Sequence, residues 1–327
     1  MLDTVTCTTA RRLLPPVAAA LTKSEFNLIP GWNFELHSGA ADNHTGWTLI
    51  GTHNASGIYV RGLPWEIRSW TASLPRVLHG FNGIQIKSDT EQAAAVQGVY
   101  SLLSEISEPT GLAETFRRVD IALNLAHPDP QLLVQALRNA RHPRIRRETQ
   151  CYANGNLRYP GTELVFTAYW KRPPVKTGAK QKAWNTPRVL RLEIQLKKAD
   201  KIAEVLSLEE PPIFQLPPTR AIYTAFRDFM MGFPPSLHGT GRCEMASLMA
   251  LCEANKVTLP GGESVSEWHR RSVKPSAHSS MRRKVASLTQ TFLGVDWSQL
   301  LPENAFPQTV DVRADGSTQV VPLNPFT

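Results

Sequence analysis

The sequence contains no run of about 18 uncharged apolar residues, the length a membrane-spanning helix needs. Its most apolar early stretch, Leu13 to Leu21, is broken by Pro15 and Pro16 and lacks a convincing cleavage site, so neither a membrane span nor a secretory leader is expected. Cysteine is scarce. Cys7, Cys151, Cys243 and Cys252 form no CxxC pair, which argues against a disulfide framework or paired-cysteine zinc site and makes a reducing cytoplasm the expected setting. No two histidines flank a single residue, and no tandem repeat or low-complexity tract occurs. With 42% apolar and 20% charged residues, the composition is that of a folded globular chain rather than a disordered one.

Positive charge is in excess, and the excess is local. Lys and Arg total 36 against 28 Asp and Glu. Residues 141–200 hold 14 of those bases and only 4 acids, a net of +10 against +8 for the whole chain. A basic concentration of this kind suits a phosphate backbone, whose neutralisation releases counterions. A solvated basic surface would give the same count, so charge alone leaves both readings open.

At 327 residues the chain is long enough for about two domains. Residues 1–30 read as a loose lead-in. Short β-rich segments follow at Trp47–Gly51, Gly57–Arg61 and Trp65–Trp70. Ser88-Asp-Thr-Glu91 is a capping box, and Ala95, Val96, Val99, Leu102, Leu103 and Ile106 continue from it at helical spacing. Arg117 to Leu125 alternates as a strand. A helix is expected from Pro130 to about Asn139, capped by Asp129. Asn154-Gly155 signals a hairpin turn, and two more alternating strands lie at Glu163–Lys171 and Val189–Lys197, joined by a basic loop. The prolines at 211, 212, 217 and 218 mark a joint. The expected fold is α+β: a central antiparallel sheet with helices on one face over residues 1–210, then a smaller helical region with a polar tail over 211–327.

Strand alternation sorts the chemistry, because successive side chains point to opposite faces. Arg118, Asp120, Ala122 and Asn124 share one face of their strand, and Val119, Ile121, Leu123 and Leu125 the other. Arg191, Glu193, Gln195 and Lys197 likewise oppose Leu190, Leu192, Ile194 and Leu196. Thr167, Tyr169 and Lys171 share the face of a third strand, and Glu66 and Arg68 that of a fourth. Any one such strand reads as a wet face decorated with ion pairs. Together they hold carboxylates for a hard cation such as Mg²⁺ or Mn²⁺, a tyrosine nucleophile and cations for a phosphate, the parts of metal-assisted phosphodiester transfer.

In their order, Ile67 to Asn82, Arg118-Val-Asp120, Glu163 to Lys171 and Leu190-Arg-Leu-Glu-Ile194 resemble the replication-initiation endonucleases of filamentous phages, the gene II/gene X type, and more distantly plasmid rolling-circle initiators. The likeness spans roughly Trp47 to Lys198. It implies a nickase that cuts one DNA strand at an origin, becomes linked through tyrosine to the 5′ phosphate and later rejoins the strand. By position, Tyr169 would be the nucleophile, Asp120 and Glu193 metal ligands, and Lys171 or Arg191 the phosphate cation. Glu66 and His79 are secondary ligand candidates. The partners implied are a phage or plasmid origin, single-stranded at the nick, and host helicase and polymerase, in the cytoplasm of a bacterial cell. The absent His-x-His pair departs from the wider rolling-circle group and leaves the ligand set open.

Rival assignments stand beside these. Tyr152, Tyr159 and Tyr223 are alternative nucleophiles. Tyr152 and Tyr159 flank the expected hairpin and could stack bases, while Tyr223 fits a helix core. His37, His44 and His53 are expected to hydrogen-bond in loops. Trp184 suits either base stacking or the core. A non-catalytic DNA-binding regulator on the same sheet is the alternative function, and a plasmid initiator or relaxase shares the chemistry in another setting.

Overall fold

The structure, a computed structural model, describes residues 1–22, 29–38, 47–126, 130, 133–134, 137, 142–145, 150–151, 156–171, 189–209, 214–233, 297–303, 307–312 and 318–322. The fold is α+β. Among the described residues its sheet is antiparallel and 13-stranded, with the strand path β2-β3-β4-β5-β1-β7-β11-β10-β9-β8. The strands along that path are β1 (Leu2–Leu13), β2 (Trp32–Ser38), β3 (Trp47–His53), β4 (Tyr59–Leu63), β5 (Glu66–Ser73), β7 (Thr115–Ala126), β8 (Gln150–Cys151), β9 (Leu157–Tyr159), β10 (Leu164–Lys171) and β11 (Val189–Leu196). The short β6 (Ser107–Pro109) pairs with β1. A C-terminal hairpin of β12 (Gln308–Val312) and β13 (Thr318–Pro322) joins β7 through β12.

The lead-in expected over residues 1–30 is not loose throughout: Leu2–Leu13 is a central strand between β5 and β7. Thr4, Val5, Thr6, Thr8 and Thr9 are β-branched, which stiffens the side chain and suits a pleated surface. Helix α1 (Pro15–Thr22) follows it, and α2 (Leu74–His79) closes on Gly80, whose φ of 71° only glycine adopts at no steric cost. Helix α3 (Asp89–Ser104) begins at the anticipated box: Ser88 Oγ accepts from the Glu91 amide at 3.2 Å, and Glu91 accepts from the Lys87 amide at 2.7 Å.

Helices and apolar strand faces share one core. Ala95, Val99 and Leu103 of α3 are fully buried, as are Ile121, Leu123, Leu190 and Leu192 from the sheet. Helix α4 (Ala199–Leu206) buries Ile202 and Leu206, and α5 (Thr219–Met231) places Phe229 against Phe166 of β10 at 5.6 Å between ring centroids. Trimming either phenylalanine to alanine would cost about 3–5 kcal/mol. Positions 130, 133, 134 and 137 are helical, as anticipated. β8 and β9 pair antiparallel, and the Asn154-Gly155 turn expected between them lies outside the described residues. So do Asp129, Tyr152, His44, residues 172–188 with Trp184, and residues 234–296 of the expected helical region. A short helix α6 (Trp297–Leu300) precedes the C-terminal hairpin. Among the described residues, no helix is long and apolar enough to cross a membrane.

Candidate active site

The polar sheet face is assembled by register. Asn124, Arg191 and Tyr169 stand opposite one another across β7, β11 and β10. Ala122, Glu193 and Thr167 form the next row, and Arg158 of β9 extends it beyond Thr167. Gln195 faces Asp120, and Thr4 of β1 meets Asp120 from the other side. A register shift between Leu2 and Thr4 lets Asp3 reach the same face, where it pairs with Arg191 at 3.0 Å. Nothing in the sequence marks Asp3, because its place on this face depends on that register shift.

The face is not the wet surface that alternation suggests. Asp120 is 2% exposed, Arg191 4% and Asn124 0%. Residues 83–87 and the C-terminal hairpin cover its centre: Gln85 donates to the Ala122 carbonyl at 2.9 Å, and Asn124 donates to the carbonyls of Gly83 (3.4 Å) and Val310 (3.3 Å). Lys87 pairs with Asp311, which also accepts from the Gln85 amide at 3.2 Å. Gly83 is required there, since a Cβ would lie 1.8 Å from the Val312 carbonyl oxygen.

Burial governs the electrostatics. Arg118 grips Asp120 with both arms, at 2.8 and 2.5 Å. Desolvation nevertheless outweighs that grip and raises the Asp120 carboxyl to about 6, so it remains ionised at neutral pH. Arg191 is held by Asp3, by Glu193 at 3.3 Å and by the Asn124 side-chain oxygen at 3.3 Å. The Tyr169 phenol is raised by burial, with Arg191 opposing. Among the described residues nothing hydrogen-bonds to its hydroxyl. Burial, reinforced by Arg191, lowers the Lys171 ammonium to about 7, and its Nζ donates to the Asn82 carbonyl at 3.2 Å.

The five principal candidates Asp120, Tyr169, Lys171, Arg191 and Glu193 therefore share one face. The two secondary ones do not join them. Glu66 faces Arg12 at the far end of β1, roughly 25 Å along the strand from the Thr4 row, and makes an exposed pair with Arg68 at 3.3 Å. His79 ends α2 with its Nε2 buried and unpartnered. Its neutral form is favoured by burial, and its charged neighbours are Glu91, Lys87 and Asp311 rather than Asp120.

The rival tyrosines are structural where described. Tyr159 packs at 5.8 Å from Phe166 and donates to the Leu137 carbonyl, and Tyr223 donates to the Pro302 carbonyl at 2.9 Å. His37 and His53 hydrogen-bond to Glu35 and Ser56.

As arranged, the carboxylates do not fit a divalent cation. Both oxygens of Asp120 are engaged by Arg118, and Asp3 and Glu193 are held by Arg191, so guanidinium groups stand where a metal would. Among the described residues no three His, Cys, Asp or Glu side chains converge on a metal position. What the face offers chemically is a phenol without a hydrogen-bond partner, a lysine that titrates near neutrality, and fixed positive charge. A scan against family models and a search of curated proteins find nothing that matches the chain.

Proposed function

We propose that the chain is a DNA strand-transfer enzyme of the rolling-circle type, a nickase acting through Tyr169. The observation that carries this reading is the placement of the Tyr169 hydroxyl: unpartnered, on a half-buried polar face, opposite Arg191 and two residues from a lysine lowered to about 7. The phenol gives its proton to neutral Lys171, and the phenolate oxygen attacks a backbone phosphorus. The bond to the 3′ oxygen breaks and that oxygen takes up a proton. The strand's 5′ phosphate then stays on the tyrosine as a diester. Attack by a 3′ hydroxyl reverses the step and reseals the strand without ATP.

Arg191, held by Asp3 and Glu193, fixes positive charge beside the reacting oxygen. The Mg²⁺ or Mn²⁺ that the sequence leads one to expect could use Asp120 only if Arg118 released it. The setting proposed is a phage or plasmid origin in a bacterial cytoplasm, with host helicase and polymerase extending the nicked strand.

Reaction of the full chain with supercoiled origin-bearing DNA, followed by a denaturing gel and peptide mapping, tests the reading. A phosphotyrosine at Tyr169 is expected. An adduct on another tyrosine would move the site, and nicking without an adduct would mean simple hydrolysis. Undiminished nicking in saturating EDTA would remove the metal from the scheme.

A second reading has its own support. The ion pairs at Asp120 and Arg191 are mutually satisfied and the Tyr169 phenol is raised, as in a non-catalytic DNA-binding regulator. Binding without any cleavage, with or without divalent ions, would favour it.

A further inference from the structure

Arg118, Arg158 and Arg191 all lie on the polar face, and they are not equivalent. Arg118 and Arg191 are matched by carboxylates. Arg158 is not: its Nε is buried, and among the described residues no acceptor meets it. Its row holds Gln150 and Thr167, both neutral, and then Glu193, which is two strands away and engaged by Arg191. No Asp or Glu occurs in the chain between Glu148 and Glu163 or between Glu163 and Glu193. A buried arginine donor is seldom left unmatched unless something outside the chain completes it.

The register says where that partner would sit. Arg158 is directly opposite Thr167, so Tyr169 is its diagonal neighbour on the same face, about 7–8 Å away. Its planar donor fork matches phosphate oxygens, and the segment around it carries the chain's positive excess.

We propose that Arg158 binds a backbone phosphate of the single-stranded DNA that Tyr169 engages, a site that rests on the function proposed above. It holds the strand in register for the tyrosine. The orphaned donor in the free protein is the complement of that phosphate.

The test uses the full chain and a fluorescein-labelled oligothymidylate, titrated over a range of salt, with Arg158→Ala, Arg158→Lys and the unaltered protein compared. Arg158→Ala should bind roughly tenfold more weakly at low salt. Its plot of log K against log salt should flatten by about 0.7, one single-strand phosphate. Arg158→Lys should keep the slope. The melting temperature of Arg158→Ala should hold or rise, because an unmatched buried donor has been removed.

Methylphosphonate substituted at one backbone position after another then locates the contact. At one position the unaltered protein should lose as much affinity as Arg158→Ala does, and Arg158→Ala should lose nothing further. A variant that melts lower with unchanged slope and affinity would make Arg158 structural and overturn the proposal, as would a scan with no such position. If the unaltered protein shows no salt-dependent binding, the DNA reading falls and this site with it. If it binds and Arg158→Ala binds equally, only the Arg158 site falls.

Discussion

Glu114 and Asp120 are both carboxylates drawn against arginine, on the two sides of the same sheet. Glu114 lies on the helix side, where each of its oxygens accepts twice: from Thr9 (2.8 Å) and Arg11 (3.3 Å), and from Trp70 (2.9 Å) and Tyr100 (3.1 Å). Arg11 is further held by Ser107 at 3.1 Å and lies over the Tyr100 ring. A pocket of about 530 Å³ opens beside this hub, yet the charged groups that line it satisfy one another. On the other side Asp120 and Arg191 are equally well matched, but among the described residues two neighbours are not: the Tyr169 hydroxyl and the Arg158 Nε, beside which Lys171 is displaced toward neutrality. Buried charge is thus common to both places. Shifted proton affinities are common too, since burial and Glu114 raise the Tyr100 phenol and the Cys7 thiol. Of the two places, only the one beside Asp120 holds unmatched donors among the described residues, the feature expected where a ligand completes the bonding.

The sharpest test of that contrast is Tyr169→Phe. It removes one hydroxyl that holds nothing else in place, so melting temperature and DNA binding should persist while cleavage and adduct fall on the order of a thousandfold or more. A marked loss of stability instead would make the phenol part of the scaffold.

Glu114→Ala should do the reverse. It leaves Arg11 buried without its carboxylate, and the expected loss is about 3–5 kcal/mol in urea unfolding. Nicking per folded molecule should be unchanged. A stable but inactive variant would move the chemistry to the helix side and break the comparison.

Lys171 supplies a pH signature. Its ammonium is lowered from 10.5 to about 7, so the folded protein has released a proton that the unfolded chain still holds between those values. Burial of Lys171 therefore weakens the fold most near and below pH 7, and the deficit shrinks as pH rises toward 10.5. Nicking should rise through about pH 7, where neutral lysine appears. Lys171→Arg keeps the charge but cannot accept the proton, and should lose that limb and most of the rate. A variant as fast as the unaltered protein would leave Lys171 with a purely electrostatic role.

The smallest effect is expected from Glu66→Gln. Its pair with Arg68 is exposed, and stability should change by less than about 0.5 kcal/mol with nicking intact. A large loss of nicking would return Glu66 to the site despite its place at the far end of β1.

Much of this fold was legible in the chain. The two-residue period of Arg118–Leu125 and Leu190–Lys197 separates the polar from the apolar face, and the register confirms that Asp120, Tyr169, Lys171, Arg191 and Glu193 share one. The Ser88 box opened its helix. The first strand was passed over because its short Thr-rich run lacks a clean apolar stripe, and the C-terminal hairpin because its strands are five residues each amid proline and polar residues. Arg158 was invisible, since its one distinguishing feature is a partner it does not have.

The sequence by itself determined which side of each strand a residue faces and where a helix starts, because both follow from backbone geometry over a few neighbouring residues. Only the tertiary structure decided that the centre of the polar face is buried. Residues 83–87 and 308–312 lie far apart in the chain and close over β7 and β11 together. That cover sets the desolvation, and desolvation rather than residue type moves Lys171 down and Asp120 up. The identity of an ionisable group is local, but its proton affinity depends on everything packed against it.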